Sequence, residues 1–139
     1  KRLASYGHDY GDFPAHAGLW EMAEKTAHDP LVRMALVPRL LEARGLDATP
    51  PLRQKLAEAG DHASARLLDI ILHDEIGHVG LGDTWFRRLC GERNLDPEST
   101  YRHLLQAFDG PRPQAPLNES ARLAAGFSAG ELAALLEIE

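Results

Sequence analysis

Apolar residues recur along this chain at three- and four-residue intervals, and no stretch alternates with the two-residue period of a strand. The pattern predicts an all-α fold. Residues 1–15 read as an irregular leading segment, because YGHDYGDFPA (6–15) is rich in Gly, Asp and aromatics. Residues 16–28 predict a short helix with Leu19, Trp20 and Ala23 inward. Asp29-Pro30 is an N-cap followed by proline at the first helical position. The helix it opens, about 30–44, places Leu31, Met34, Ala35, Pro38, Leu41 and Glu42 on one stripe. Pro38 should kink it and Gly45 should stop it.

Thr49-Pro50 reads as a second cap-plus-proline start, for a short helix ending near Gly60. Asp61 then caps the longest predicted helix, about 61–92. Its stripe holds Leu68, Ile71, Leu72, Glu75, His78, Val79, Gly82, Phe86 and Leu89. Asp96-Pro97 starts another helix, running to Phe108, with Tyr101, Leu104, Leu105 and Phe108 at core spacing. Residues 109–118 (DGPRPQAPLN) form a proline-rich connector, and Ser128-Ala129-Gly130-Glu131 is a capping box for one last short helix. The domain reading is one helical domain over 1–139: a leading segment 1–15, a helical core 16–108, and a connector with a terminal helix 109–139.

Two residues interrupt the longest stripe. Glu75 and His78 are three apart, so their side chains leave neighbouring points of one helix face. A charged Glu on an apolar stripe needs a partner, and a transition metal is one such partner. Glu-x-x-His is the ligand pair of di-metal carboxylate bundles. The motif is short and arises by chance, and a buried ion pair or one satisfied histidine would account for it as well. Glu42 is the next candidate, since it also sits on an apolar stripe. The path outward through 45–59 and back through 61–75 covers similar lengths, so Glu42 and Glu75 can reach one level. Pairing of Glu42 with Arg39 or Arg44 is the competing expectation.

Gly77, Gly80 and Gly82 each cost roughly 1 kcal/mol relative to Ala in a helix. They predict either close helix approach or space beside the site. HDEIGH is not the zinc-protease pattern, since His73 and His78 are five apart and face different ways. His73 reads as a surface or outer residue, and Asp74 as a carboxylate able to orient a neighbouring imidazole. His8, Asp12 and His16 sit in the leading segment, where solvated histidines are common. Cys90 reads as a core thiol.

Composition narrows the classes. The chain has 139 residues, 44% hydrophobic and 26% charged, with a net charge of −6. That charge, without a Lys/Arg cluster, argues against a nucleic-acid surface. The apolar runs are too short to span a membrane. A single cysteine excludes an internal disulfide framework and fits a reducing cytoplasm. There is no phosphate-binding glycine loop and no nucleophile elbow.

Three segments in order, YGDFPAHAGLWEMAEKT, MALVPRLLEARGLD and ILHDEIGHVGLGDTWFRRLC, resemble the bacterial DUF455 proteins, a ferritin-like family of unknown function. The resemblance continues through AGFSAGEL. It implies a ferritin-like helix bundle, related at fold level to rubrerythrin and to a tRNA-modifying di-iron hydroxylase. It also implies Fe or Mn as cofactor, with Glu42 as the lone metal-ligand glutamate of the third bundle helix and Glu75 and His78 as the Glu-x-x-His of the fourth. Members carry an earlier helical pair with another Glu and another Glu-x-x-His. Here only 41 residues precede Glu42, and neither Glu21 nor Glu24 has a histidine at i+3. The expectation is the second helical pair of the bundle, completed by a missing N-terminal segment or by a two-fold dimer, or else a chain that keeps the fold without the metal. Beginning at Lys1 rather than Met agrees with the first. The function expected is an oxygen- or peroxide-dependent oxidoreductase, the alternative a metal-free bundle serving as an interaction module.

Overall fold

The computed structural model describes residues 1–108 and 112–137. Among them the regular structure is entirely helical: α1 (Gly18–Lys25), α2 (Pro30–Leu36), a π-helical turn (Val37–Glu42), α3 (Ala43–Glu58), α4 (His62–Glu92), α5 (Pro97–Ala107), α6 (Glu119–Ala124) and α7 (Ala129–Leu135), after a 3₁₀ turn at Ala4–Tyr6. The chain is an all-α helix bundle.

Local chemistry sets most of the starts. The carboxylates of Asp29, Asp61 and Asp96 accept from the backbone N–H of Leu31, Ser64 and Ser99. Ser128 and Glu131 close the reciprocal capping box before α7. The connector gives way to a helix that the sequence pattern did not reveal, α6, capped by Asn118 through the Ala121 N–H.

The largest correction lies between Pro30 and Glu58. Gly45 does not stop the helix, and Thr49 does not cap a new one. α2, the π turn and α3 are one rod, with right-handed helical backbone at both junctions, Val37 and Ala43. Pro50 and Pro51 lie inside α3. A proline there strips a hydrogen bond from the carbonyl four residues back, which for Pro50 is that of Leu46. That carbonyl accepts from Asn118 Nδ2 at 3.1 Å. Thr49 caps nothing; its hydroxyl donates to the Gly45 carbonyl at 2.6 Å. Pro38 is absorbed in the same spirit. The turn widens around it, so that the Ala43 N–H reaches back five residues to the Pro38 carbonyl. The Arg39 carbonyl accepts from the Tyr101 hydroxyl at 2.8 Å.

α4, about 46 Å long at 1.5 Å per residue, runs back along this rod. Ladder contacts fix the register: Arg53 Nε meets Asp69 Oδ1 at 2.9 Å, and Gly82 faces Pro38. Leu31, Ala35, Leu40, Ala43 and Leu46 on the rod pack with Val79, Phe86 and Cys90 on α4. Tyr101, Leu105, Phe127 and Leu135 close that core from α5 onward. The glycines of α4 differ. A Cβ on Gly82 would overlap the Pro38 ring, one on Gly80 would touch the Ala125 backbone, and one on Gly77 would meet open space. So tight packing explains Gly82 and not Gly77.

Periodicity found the stripes but not always their sides. Trp20 and Leu19 face outward on α1, and Met22 is the buried residue there. Ile71 is 53% exposed. It belongs to a second apolar row on α4, with Leu67, Leu81 and Trp85, that flanks the core stripe and stays open. No helix among the described residues is long and apolar enough to cross a membrane.

Candidate functional site

Glu42 closes the π turn, and Glu75 and His78 lie on the facing stretch of α4. His78 Nδ1 stands 3.4 Å from Glu75 Oε2. Gly45, one turn beyond Glu42, faces the Glu75 stem, since a Cβ on it would lie in ordinary contact 3.9 Å from Glu75 Cγ. Burial pushes the Glu42 carboxyl above the ordinary carboxylate range, the Glu75 charge pushes it further, and His78 pulls it back. Glu75 and His78 are therefore near enough for their charges to act on the Glu42 carboxyl. Glu42 makes no ion pair with Arg39 or Arg44 among the described residues; Arg39 is committed to Asp83 and Glu131.

The site is more open than the stripe implies. The Glu75 side chain is 24% exposed and that of His78 69%. One residue of helix turns a side chain by about 100°, so His78 stands on the outer flank with Ile71, Leu81 and Trp85 rather than in the core. Among the described residues no three His, Cys, Asp or Glu side chains converge as metal donors do. The three residues thus enclose no metal position by themselves. His73 and Asp74 are exposed. His8 meets Asp12 at 3.3 Å on the surface, and His16 Nδ1 accepts from the Gly18 N–H at 3.2 Å.

Residues 1–133 match a family model described as Protein of unknown function (DUF455). The chain belongs to the DUF455 family. It is 50% identical over 139 residues, all of this chain and 48% of the relative, to an uncharacterized protein of Haemophilus influenzae (strain ATCC 51907 / DSM 11121 / KW20 / Rd). The chain spans about half the length of that curated relative. No solved structure matches it.

Among the described residues of this DUF455 chain, the most enclosed polar chemistry lies elsewhere, and the sequence pattern did not reveal it. Arg39 is wholly buried. Its guanidinium bonds Glu131 through Nη2, and its Nε lies 3.0 Å from Asp83 Oδ1, an ionic contact that misses hydrogen-bond alignment. Arg87 joins both acids, at 2.8 Å each. The Phe86, Tyr101 and Phe127 rings surround Arg39 at 4.6, 4.1 and 4.8 Å from its guanidinium carbon. Burial raises Asp83 despite both arginines; at Glu131 burial is outweighed by Arg39, by the Ser128 N–H and by Arg87, and its carboxyl is lowered. Two cations and two anions balance in charge, while Arg39 Nη1 is left without a hydrogen-bond partner. The cluster ties α7 to α4 and to the π turn. Arg122 repeats the device, buried and bound to Asp47 at 2.7 Å. A signal for Arg39 existed: it is four residues from Ala35 and from Ala43, on the rod's core stripe. Arg122 carried none. The Cys90 thiol is buried, which raises its pKa, and it serves the core.

Proposed function

We propose that Glu42, Glu75 and His78 are one half of a carboxylate–histidine metal site of ferritin-like type, and that the protein is an oxidoreductase using dioxygen or peroxide. The observation that carries this reading is the Glu75–His78 pair, near enough to act on the Glu42 carboxyl, on an open face flanked by exposed apolar residues. Mixed O and N donors suit Fe or Mn. Three donors do not close a di-metal site, so this chain's own residues fit only part of it. A further helical pair, from a longer chain such as the twice-as-long relative or from a second copy, would cover Ile71, Leu81 and Trp85 and bring the remaining donors. Bound iron or manganese would supply the redox chemistry, and this chain would contribute the two carboxylates, the imidazole and a wall that limits water. Hydroxylase, peroxide scavenger and iron oxidase share such a donor set. A cytoplasmic location belongs to the same proposal.

A second reading has its own support. The Glu75–His78 contact already gives each group a partner, so a metal-free bundle acting as an interaction module needs nothing added. Elemental analysis by mass spectrometry, after anaerobic reconstitution with Fe(II) or Mn(II), separates the two. Near-stoichiometric metal that vanishes in Glu75→Ala and in His78→Ala supports the first. Metal absent both from this chain in every oligomeric form and from the reconstituted twice-as-long relative overturns it and favours the second.

A further inference from the structure

On another side of the rod, α1 stands away from it and leaves a hollow of about 630 Å³. Its floor is apolar: Leu19, Met22, Leu41, Ala48 and Phe108. Its rim carries His16, Lys25 and Arg44, with Glu21 as the one acid. A second hollow of about 390 Å³ shares Met22, Lys25 and Phe108, and it continues the apolar floor with Val32, Leu36 and Leu104. The first volume lies within the range of small-ligand sites, roughly 300–1,000 Å³.

What sets the rim cations apart is their place beside an apolar hollow. Arg39, Arg53, Arg87, Arg88, Arg93 and Arg122 are each tied to a carboxylate. Arg44 and Lys25 have no such partner among the described residues, as is true of Arg33, Lys55, Arg66 and Arg102, but these two border the apolar recess. An arginine fork matches a carboxylate or phosphate in two parallel hydrogen bonds, and lysine adds a point charge. Glu21 offsets part of the rim charge, which favours one anionic head over several.

We propose that this hollow binds an organic anion with an elongated apolar body, a carboxylate or phosphate monoester. Arg44 takes the anionic head and Lys25 supports it. The body lies along Leu41, Met22 and Phe108 and extends into the second hollow. The inference does not require the metal reading. Gly45 nevertheless lines the hollow and also abuts Glu75, so a ligand there would lie one helix diameter or less from the candidate metal ligands.

Titration calorimetry on the full chain tests this, with octanoate and octyl phosphate as anionic probes and octan-1-ol and octylammonium as controls of equal length. Saturable 1:1 binding of at least one anion is expected, with octanol about tenfold weaker and octylammonium weaker still. Arg44→Met, an exposed position whose loss spares the core, should weaken the anion about tenfold or more. Ala48→Trp, which fills the recess, should abolish it, and Arg66→Met on α4 should change nothing. Absence of binding by both anions overturns the proposal. So does equal binding of octanol, or an unchanged anion affinity in Arg44→Met with its thermal unfolding intact.

Discussion

Gly82 lies directly beneath the ring of Pro38, so close that a Cβ on it would occupy the space of Pro38 Cβ and Cγ. The proline that widens the rod is seated in a notch that Gly82 leaves in α4. Gly82→Ala should therefore cost about 2–4 kcal/mol, since neither a ring nor a packed helix yields easily. Gly77→Ala, on the same helix facing open space, should stabilise by about 1 kcal/mol. Urea denaturation of the two variants checks the pair, and a neutral Gly82→Ala would remove the close-packing account.

The buried ionic cluster makes a second prediction. Arg39→Met leaves Asp83 and Glu131 buried with Arg87 as their sole cation. Breaking a buried pair from one side costs about 3–5 kcal/mol. Chemical denaturation should show that loss, with α7 protected least in hydrogen exchange. Tyr101→Phe, which removes only the donor to the Arg39 carbonyl, should cost about 1–2 kcal/mol. A loss below about 1 kcal/mol for Arg39→Met would mean that the cluster contributes little to holding α7.

How much of this could be read in the sequence divides along a physical line. The caps at Asp29, Asp61, Asp96 and Ser128 were legible because each is settled within four residues. The continuity of the rod through Gly45 and Pro50 was not, because the carbonyl that Pro50 orphans is satisfied by Asn118, 72 residues further on. Period and path length suggested that Glu42 and Glu75 can reach one level, and the Glu75 charge does act on the Glu42 carboxyl. The exposure of His78 was not legible, because periodicity marks a stripe without saying whether protein covers it. Trp20 failed for the same reason.

Asn118 therefore offers a third prediction. Asn118→Ala removes the donor to the Leu46 carbonyl and the cap of α6 together. Its expected cost is about 2 kcal/mol. In a Pro50→Ala background the cost should shrink, because an alanine N–H can serve the Leu46 carbonyl itself. A double-mutant cycle reads this coupling, and additive effects would refute it.

The fourth concerns pH. Glu42 binds its proton more tightly in the folded chain than in the unfolded one, because of burial and the neighbouring Glu75. Its contribution therefore favours folding at low pH and is lost as pH rises from the ordinary carboxylate range through the raised folded value. Glu42→Gln should stabilise the metal-free protein at pH 7 by roughly 0.5 kcal/mol, since solvent still reaches the group. It should also flatten stability across that window. Unfolding free energies between pH 4 and pH 7 decide the matter, and a destabilised Glu42→Gln at pH 7 would count against mutual repulsion of the two acids.

The widened turn at Val37–Glu42 works as a phase shifter. An ordinary helix advances each side chain by about 100°, and one surplus residue rotates everything after it by that angle relative to everything before. Leu31 and Ala35 are set on one clock, Ala43 and Leu46 on another, yet all four reach the same core. Shortening the turn by one residue would return it to the ordinary helical pitch while carrying α3 out of phase with α4. The candidate ligand Glu42 and the recess-lining Arg44 and Ala48 are thus governed by a single residue of excess length, upstream of them all.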